Sequence, residues 1–165
     1  MERENKAKYA FGLLRLAMGW IFFWAFIDKL FGLGFSTLPE KSWIAGSSPT
    51  FGFLKFATKG IFAPFYQSLA GNPLVDWLFM LGLLFAGITL IFGVLLRLGG
   101  SVAILMLTFF YTAGFMPPEH NPFLDEHIIY IFVILALILV GSGRWLGFGQ
   151  RWSNTKLVGK LRFLE

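Results

Sequence analysis

Four long apolar segments, separated by polar or proline-rich stretches, set the pattern of this chain. In the first segment the uncharged run is 16–27, bounded by Arg15 on one side and by the pair Asp28–Lys29 on the other. A helix of that length covers roughly 18 Å, which is less than the hydrocarbon core of a bilayer, about 30 Å. A spanning helix here therefore cannot hold all three charges fully in water. We expect them to reach toward the interfaces or to lie inside the protein with a partner.

The apolar pattern predicts four transmembrane helices, at about 9–33, 74–96, 101–115 and 126–141. Residues 35–73 contain four prolines and many aromatic residues, so they are too broken for a span and too aromatic for a free loop. Ser48–Pro49 and Asn72–Pro73 each combine an N-cap residue with a proline at the first helical position. We therefore predict a single all-α domain over 1–165: an integral membrane four-helix bundle with short interfacial helices, here called the cap, between spans one and two.

The composition places the chain in a lipid bilayer. Hydrophobic residues make up 56% and charged residues only 14%, whereas soluble domains contain about 25% charged residues. Ten of the 14 basic residues fall in the N-terminal tail, at Arg15, at Arg97 and in the tail 144–165. The positive-inside rule then predicts a multi-pass protein of the cell membrane with both termini, and the basic tail, in the cytoplasm. This distribution explains the net charge of +5 without a nucleic-acid partner.

The chain has no cysteine, which excludes disulfides, thiol redox chemistry and cysteine-bound iron–sulfur clusters. If the protein takes part in electron transfer, the electrons must pass through an organic cofactor, a histidine-ligated metal or a partner subunit. The first apolar run is too long for a signal peptide and no small-residue cleavage site follows it, so we expect it to be retained.

Polar residues near the cytoplasmic ends of the spans form an inner layer of arginines, Arg15, Arg97 and Arg144. The plain interpretation is that they fix the topology and bind lipid phosphates. Arg15 fits this interpretation least well because it lies several residues inside the apolar run.

The outer ends of the spans carry a more varied set of side chains. Trp24 and Asp28 are four residues apart, and His127 and Tyr130 are three apart, so each pair shares a helix face. An acid, a histidine and a tyrosine beneath an aromatic cap suit the head group of a quinone, whose carbonyls need hydrogen-bond donors and whose reduction needs protons. We predict a quinone as cofactor, with Asp28, His127 and Tyr130 as catalytic residues and Trp24, Lys29, Tyr111 and Arg15 as cofactor-binding residues.

Two alternatives stay open for this outer layer. The polar residues could simply pin the helices together, with Asp125 and Glu126 favouring the N-terminus of span four. A metal is a weaker alternative, because the spacing of His120 and His127 is not a recognised ligand pattern, and we expect none.

Four stretches carry a resemblance to a known family. Residues 13–32, LLRLAMGWIFFWAFIDKLFG, with Arg15, Gly19 and Asp28–Lys29, resemble the opening helix of the DoxX/DoxD family of small four-span prokaryotic membrane proteins. The segments WIAGSSPTFGFL (43–54), LIFGVLLRLGG (90–100) and NPFLDEHIIY…GSGRWLGFG (121–149) are similar to its first loop, its second-to-third turn and its last helix.

The resemblance implies a membrane subunit. In the DoxD branch this is the small partner in thiosulfate:quinone oxidoreductase, which oxidises thiosulfate to tetrathionate and passes electrons to quinone together with a DoxA-type subunit. We therefore expect a membrane or peripheral partner subunit, and a homo-oligomer is a further alternative. A non-catalytic accessory or scaffold subunit of a larger respiratory or oxygenase complex is the alternative function.

Overall fold

The computed structural model describes residues 2–114 and 121–164, and the fold over these residues is all-helical, as predicted. Three helices are long and apolar enough to cross a membrane: α1 (Glu2–Phe31), α3 (Pro73–Phe92) and α4 (Leu96–Gly114). A fourth apolar helix, α5 (Glu126–Leu139), has 14 residues. The predicted membrane character is confirmed in this form.

The turn between α3 and α4 lies earlier than the sequence indicated. Gly93, with φ of +69°, ends α3 in the left-handed conformation that glycine adopts without strain. The glycine pair 99–100, which the sequence analysis placed at a turn, lies inside α4 instead. There it permits close packing, because a Cβ on Gly99 would fall 1.6 Å from Thr89 Oγ1 and one on Gly100 would fall 2.6 Å from Ile138 Cδ1.

Helix packing follows the chain order: α1 lies against α3, α3 against α4, and α4 against α5. Helices α1 and α3 also approach closely, because a Cβ on Gly19 would fall 2.7 Å from the Ile91 backbone nitrogen and one on Gly87 would fall 2.8 Å from the Phe23 backbone. Met80, Leu90 and Ile134 are fully buried in the core that these helices share. Many large apolar side chains on the outer faces are exposed, which is typical of helices surrounded by lipid.

The cap between α1 and α3 contains three short helical segments: a 3₁₀ turn at Pro39–Lys41, a π-helical turn at Phe53–Ala57, and α2 (Ala63–Ser68). The predicted N-cap Asn72 is confirmed, whereas the helical turn after Ser48–Pro49 begins later, at Phe53, with Gly52 as its N-cap. Ser48 Oγ accepts a hydrogen bond from the Phe51 backbone N–H at 3.1 Å, and Asn72 Oδ1 accepts one from the Leu74 N–H at 2.9 Å.

The chain ends in a folded tail. A 3₁₀ turn at Ser142–Arg144 is followed by α6 (Gly149–Ser153), α7 (Lys156–Lys160) and a last 3₁₀ turn at Arg162–Leu164. The indole N–H of Trp152 donates to the Leu164 carbonyl at 2.6 Å and folds the last turn back onto α6.

Candidate functional site

Arg15 is completely buried on α1 and bonds to two separate parts of the chain. Its Nη1 donates to the carbonyls of Leu90 and of Ile91, the latter at 2.7 Å. Its Nη2 donates to the carbonyls of Trp145 (3.0 Å) and Leu146 (2.9 Å). Carbonyls near the end of a helix lack intrahelical partners and carry partial negative charge, so the C-terminal end of α3 suits a cation.

Glycines make room for this guanidinium. A Cβ on Gly147 would fall 2.8 Å from Arg15 Nη2, and one on Gly93 would fall 3.1 Å from Arg15 Cζ. Gly143 in turn packs on Gly93, because a Cβ there would fall 2.3 Å from the Gly93 carbonyl oxygen. Arg15, residues 90–93 and residues 143–149 thus form one unit, here called the arginine clamp. It joins three of the stretches that carry the family resemblance.

Asp28 is also buried, and it folds the chain that follows α1. Its Oδ2 accepts hydrogen bonds from the Ser36 N–H (2.9 Å) and the Ser36 hydroxyl (2.6 Å). Its Oδ1 accepts a longer one from the Phe35 N–H (3.3 Å). The carboxylate therefore stabilises the loop after Phe31, and Asp28 is not among the residues that line the large cavity described next.

A cavity of about 730 Å³ lies between α1, α3, α4, the start of α5 and the cap. Its walls are mostly apolar and include Phe22, Phe79 and Met106. Leu78 and Leu105, which also line it, are 63% and 52% exposed on the outer surface of the helices. The cavity therefore opens sideways, toward the surface that lipid would cover.

Three residues of the predicted site line this cavity: Lys29, His127 and Tyr130. Within residues 2–114 and 121–164, neither the Lys29 ammonium nor the Tyr130 hydroxyl makes a hydrogen bond. The structure thus brings a lysine, a histidine and a tyrosine to the lining of one mostly apolar space.

The His127 ring is held from two sides. Its Nδ1 lies 2.8 Å from Asp125 Oδ2, and its plane stacks on Phe110 with the ring centroids 5.8 Å apart. Asp125 also caps α5 as predicted, since its Oδ1 accepts from the N–H groups of His127 (3.0 Å) and Ile128 (3.2 Å). Because an ionised carboxylate only accepts hydrogen bonds, Nδ1 carries the proton and Nε2 is left for a ligand.

The other predicted residues lie outside the cavity lining. Trp24 stacks on Trp20, with centroids 5.5 Å apart. Tyr111 donates to the Phe123 carbonyl at 2.9 Å, which ties α4 to the segment before α5. Arg15 belongs to the clamp, and His120 lies outside the described residues.

The sequence analysis missed the side chains that fasten the cap above the cavity. The buried Asp76, in the first turn of α3, accepts hydrogen bonds from Ser48 Oγ (2.8 Å) and Thr50 Oγ1 (2.5 Å). The Tyr66 hydroxyl of α2 pairs with Thr112 Oγ1 of α4 at 2.6 Å. Thr50 and Tyr66 line the cavity themselves. The signal for Asp76 was a lone acid one turn after a cap and a proline.

Asp125, Glu126 and His127 have potential metal-ligand atoms within 4.8 Å of one another. Both oxygens of Asp125 already accept hydrogen bonds from the start of α5 or lie against the His127 ring. This arrangement of Asp125 does not strengthen the case for a metal site. The expectation that the protein binds no metal stays a prediction.

Comparisons with protein-family models, with curated proteins and with solved structures give no match to this chain. The resemblance to the DoxX/DoxD family therefore stays a prediction.

Proposed function

We propose that this chain is the quinone-binding membrane subunit of a quinone-linked oxidoreductase, folded as a four-helix bundle with α5 as the fourth span. One observation carries the proposal: Lys29, His127 and Tyr130 all line one cavity whose remaining walls are mostly apolar. A quinone combines a head group with two carbonyl oxygens and an apolar tail, and its reduction takes up two electrons and two protons.

The residues fit such a ligand. The cavity volume, about 730 Å³, falls within the range of ligand pockets, roughly 300–1,000 Å³. The Tyr130 hydroxyl and the Lys29 ammonium are donors for carbonyl oxygens. The apolar walls and the sideways opening suit a tail that remains in contact with lipid.

Each polar residue has a distinct part in the proposal. Asp125 holds the Nδ1–H of His127, and in the proposal Nε2 takes up a further proton and passes it to the reduced head group. The positive charge of Lys29 stabilises negative charge that develops on the bound head group. Asp28 is a positioning residue, because its carboxylate fixes the loop beside Lys29. Trp24 and Tyr111 support the surrounding segments, and Arg15 acts only through the fold.

In the proposal the electrons reach the cavity from a partner subunit, and no cysteine of this chain can hold an iron–sulfur cluster. The resemblance makes thiosulfate the first electron donor to test. In the proposal the protein lies in the cell membrane with both termini in the cytoplasm. The cavity is then near the outer face of the membrane, where the partner subunit would dock.

Quinone binding to the purified protein in nanodiscs tests the proposal directly. Tyr130→Phe removes a hydroxyl donor from a residue that lines the cavity. Tyr111→Phe also removes a hydroxyl, but one that donates to the Phe123 carbonyl outside the cavity lining. We expect the first variant to weaken binding of a short-chain quinone about five- to tenfold, the effect of one lost hydrogen bond, and the second to leave it unchanged. Equal affinities in both variants would overturn the assignment of the cavity.

The reaction needs the assembled complex. We expect His127→Ala to slow thiosulfate-dependent quinone reduction by about two orders of magnitude, the effect of a lost general acid. An unchanged rate would remove His127 from the catalytic residues.

A specific observation favours a second candidate, an accessory subunit with a structural task. The buried charge of Arg15 bonds to backbone carbonyls, and that of Asp28 bonds to two backbone N–H groups and the Ser36 hydroxyl, as structural charges do. Copurification with a larger membrane complex, without any quinone bound, would support that function.

A further inference from the structure

A second, smaller cavity lies at the opposite end of α1 from Lys29. It is enclosed by the α3–α4 turn and by the chain that follows α5, and its volume is about 180 Å³. The exposed arginines Arg97 and Arg144 both line it, together with Trp152. Two guanidinium groups on separate parts of the chain therefore border one small space.

The wall of this cavity is built from glycine. Gly93, Gly143 and Gly149 line it and touch one another, because a Cβ on Gly149 would fall 2.5 Å from the Gly143 carbonyl. The Arg15 guanidinium lies directly behind Gly93, where a Cβ would be 3.1 Å from Arg15 Cζ. With no side chain in between, a third positive charge lies close to the cavity.

Apart from Leu96 of α4 and Gly141, the remaining lining is apolar and lies at the end of α5. Ile138, Leu139 and Val140 contribute to it, and the last two are 76% and 40% exposed. The positively charged cavity thus continues into an exposed apolar surface, so its surroundings match a molecule with an anionic head and a hydrocarbon tail.

We infer that this cavity binds the phosphate group of an anionic phospholipid, with the acyl chains along the end of α5. Guanidinium groups recognise phosphate through paired hydrogen bonds, and basic pockets between membrane helices bind lipid head groups. Tryptophan at the membrane interface lies at head-group level, as Trp152 would.

The lipid site does not depend on quinone binding, and within it the three arginines of the predicted inner layer have two different roles. Arg97 and Arg144 contact the phosphate, whereas Arg15 is enclosed by backbone carbonyls and supplies charge through the glycine wall. A free phosphate would use the same guanidinium groups but would gain nothing from Leu139 and Val140, so the exposed apolar surface favours the lipid.

Native mass spectrometry of the protein released from nanodiscs tests the inference. The nanodiscs contain equal amounts of phosphatidylglycerol and phosphatidylcholine, and the lipid that remains bound is counted. We expect the double variant Arg97→Gln/Arg144→Gln to retain at least about tenfold less phosphatidylglycerol than the wild type. Arg151→Gln is the matched control, because Arg151 is exposed over the Phe148 ring and does not line the cavity. We expect it to change retention less than about twofold.

The outcomes separate the sources of the phosphate. An equal loss in the control would show diffuse charge attraction and overturn the site, as would full retention in the double variant. Displacement of phosphatidylglycerol by millimolar inorganic phosphate would overturn the lipid assignment in favour of a small anion. If the glutamine pair does not fold, Arg97→Lys/Arg144→Lys keeps both charges without the planar fork. Its retention should then fall below that of the wild type, and equal retention would contradict the inference.

Discussion

The two ends of α1 each carry a basic residue, Arg15 and Lys29, in opposite surroundings. Arg15 is fully buried, and four backbone carbonyls surround its guanidinium. Lys29, fourteen residues later, lines a large apolar cavity and makes no hydrogen bond within the described part of the chain. Both charges interrupt the same apolar segment, yet only one of them is used to hold the fold. The difference shows that Arg15 holds the fold, whereas Lys29 is the charge that our proposal assigns to quinone binding.

Arg15→Leu should have the largest effect. It leaves the carbonyls of Trp145 and Leu146 without their donor inside the protein, so we expect the free energy of unfolding to fall by about 3 kcal/mol or more. Steric trapping in bicelles measures this quantity. Arg151→Leu, at an exposed arginine, should change it by less than about 0.5 kcal/mol. A loss below about 1 kcal/mol for Arg15→Leu would show that the arginine clamp does not hold the fold.

Gly143→Ala should have the next largest effect. The added methyl group would lie 2.3 Å from the Gly93 carbonyl oxygen, so the clamp must open, and we expect a loss of about 1–3 kcal/mol. Gly114→Ala is the control because a Cβ there, at the end of α4, meets nothing within 4 Å among residues 2–114 and 121–164. Equal stabilities for these two variants would contradict the tight packing of the glycine wall.

Lys29→Met should have the smallest effect on stability and the opposite sign. Removing an ammonium group without a hydrogen bond from an apolar cavity should leave the free energy of unfolding unchanged or raise it by up to about 1 kcal/mol. In the same preparation quinone affinity should fall, whereas the exposed Lys41→Met should change neither quantity. A destabilisation above about 1 kcal/mol would mean that Lys29 holds the fold as Arg15 does.

Local signals predicted the caps well. Asn72 and Asp125 lie two residues from the N–H groups that they bind, so a single short stretch contains the whole interaction. The turn after α3 was placed too late for a non-local reason. Gly99 and Gly100 resemble a turn in sequence, but they are small because Thr89 and Ile138 pack against them.

The partners of Arg15 could not be predicted in the same way. They lie 75 to 131 residues away and are backbone carbonyls, which any residue can supply. The sequence feature that accompanies these contacts is the set of glycines at 93, 143 and 147, which leave room for the Arg15 guanidinium and for the segments around it. The sequence also could not show that Asp28 and Lys29, both placed in the predicted outer layer, lie in different surroundings. Asp28 and Lys29 are neighbours in sequence, but adjacent helical positions point about 100° apart, and only Lys29 lines the cavity.

The arginine clamp also constrains how the protein is made. Trp145 and Leu146 lie 130 and 131 residues after Arg15 in the chain. Because ribosomes add about 5–20 residues per second, the carbonyls of both residues are made roughly 6–26 seconds after Arg15. The carbonyls of Leu90 and Ile91 are made earlier, so until the C-terminal segment is complete the guanidinium has two of its four final partners. The full set of carbonyls around Arg15 is therefore complete only after the C-terminal segment has been made.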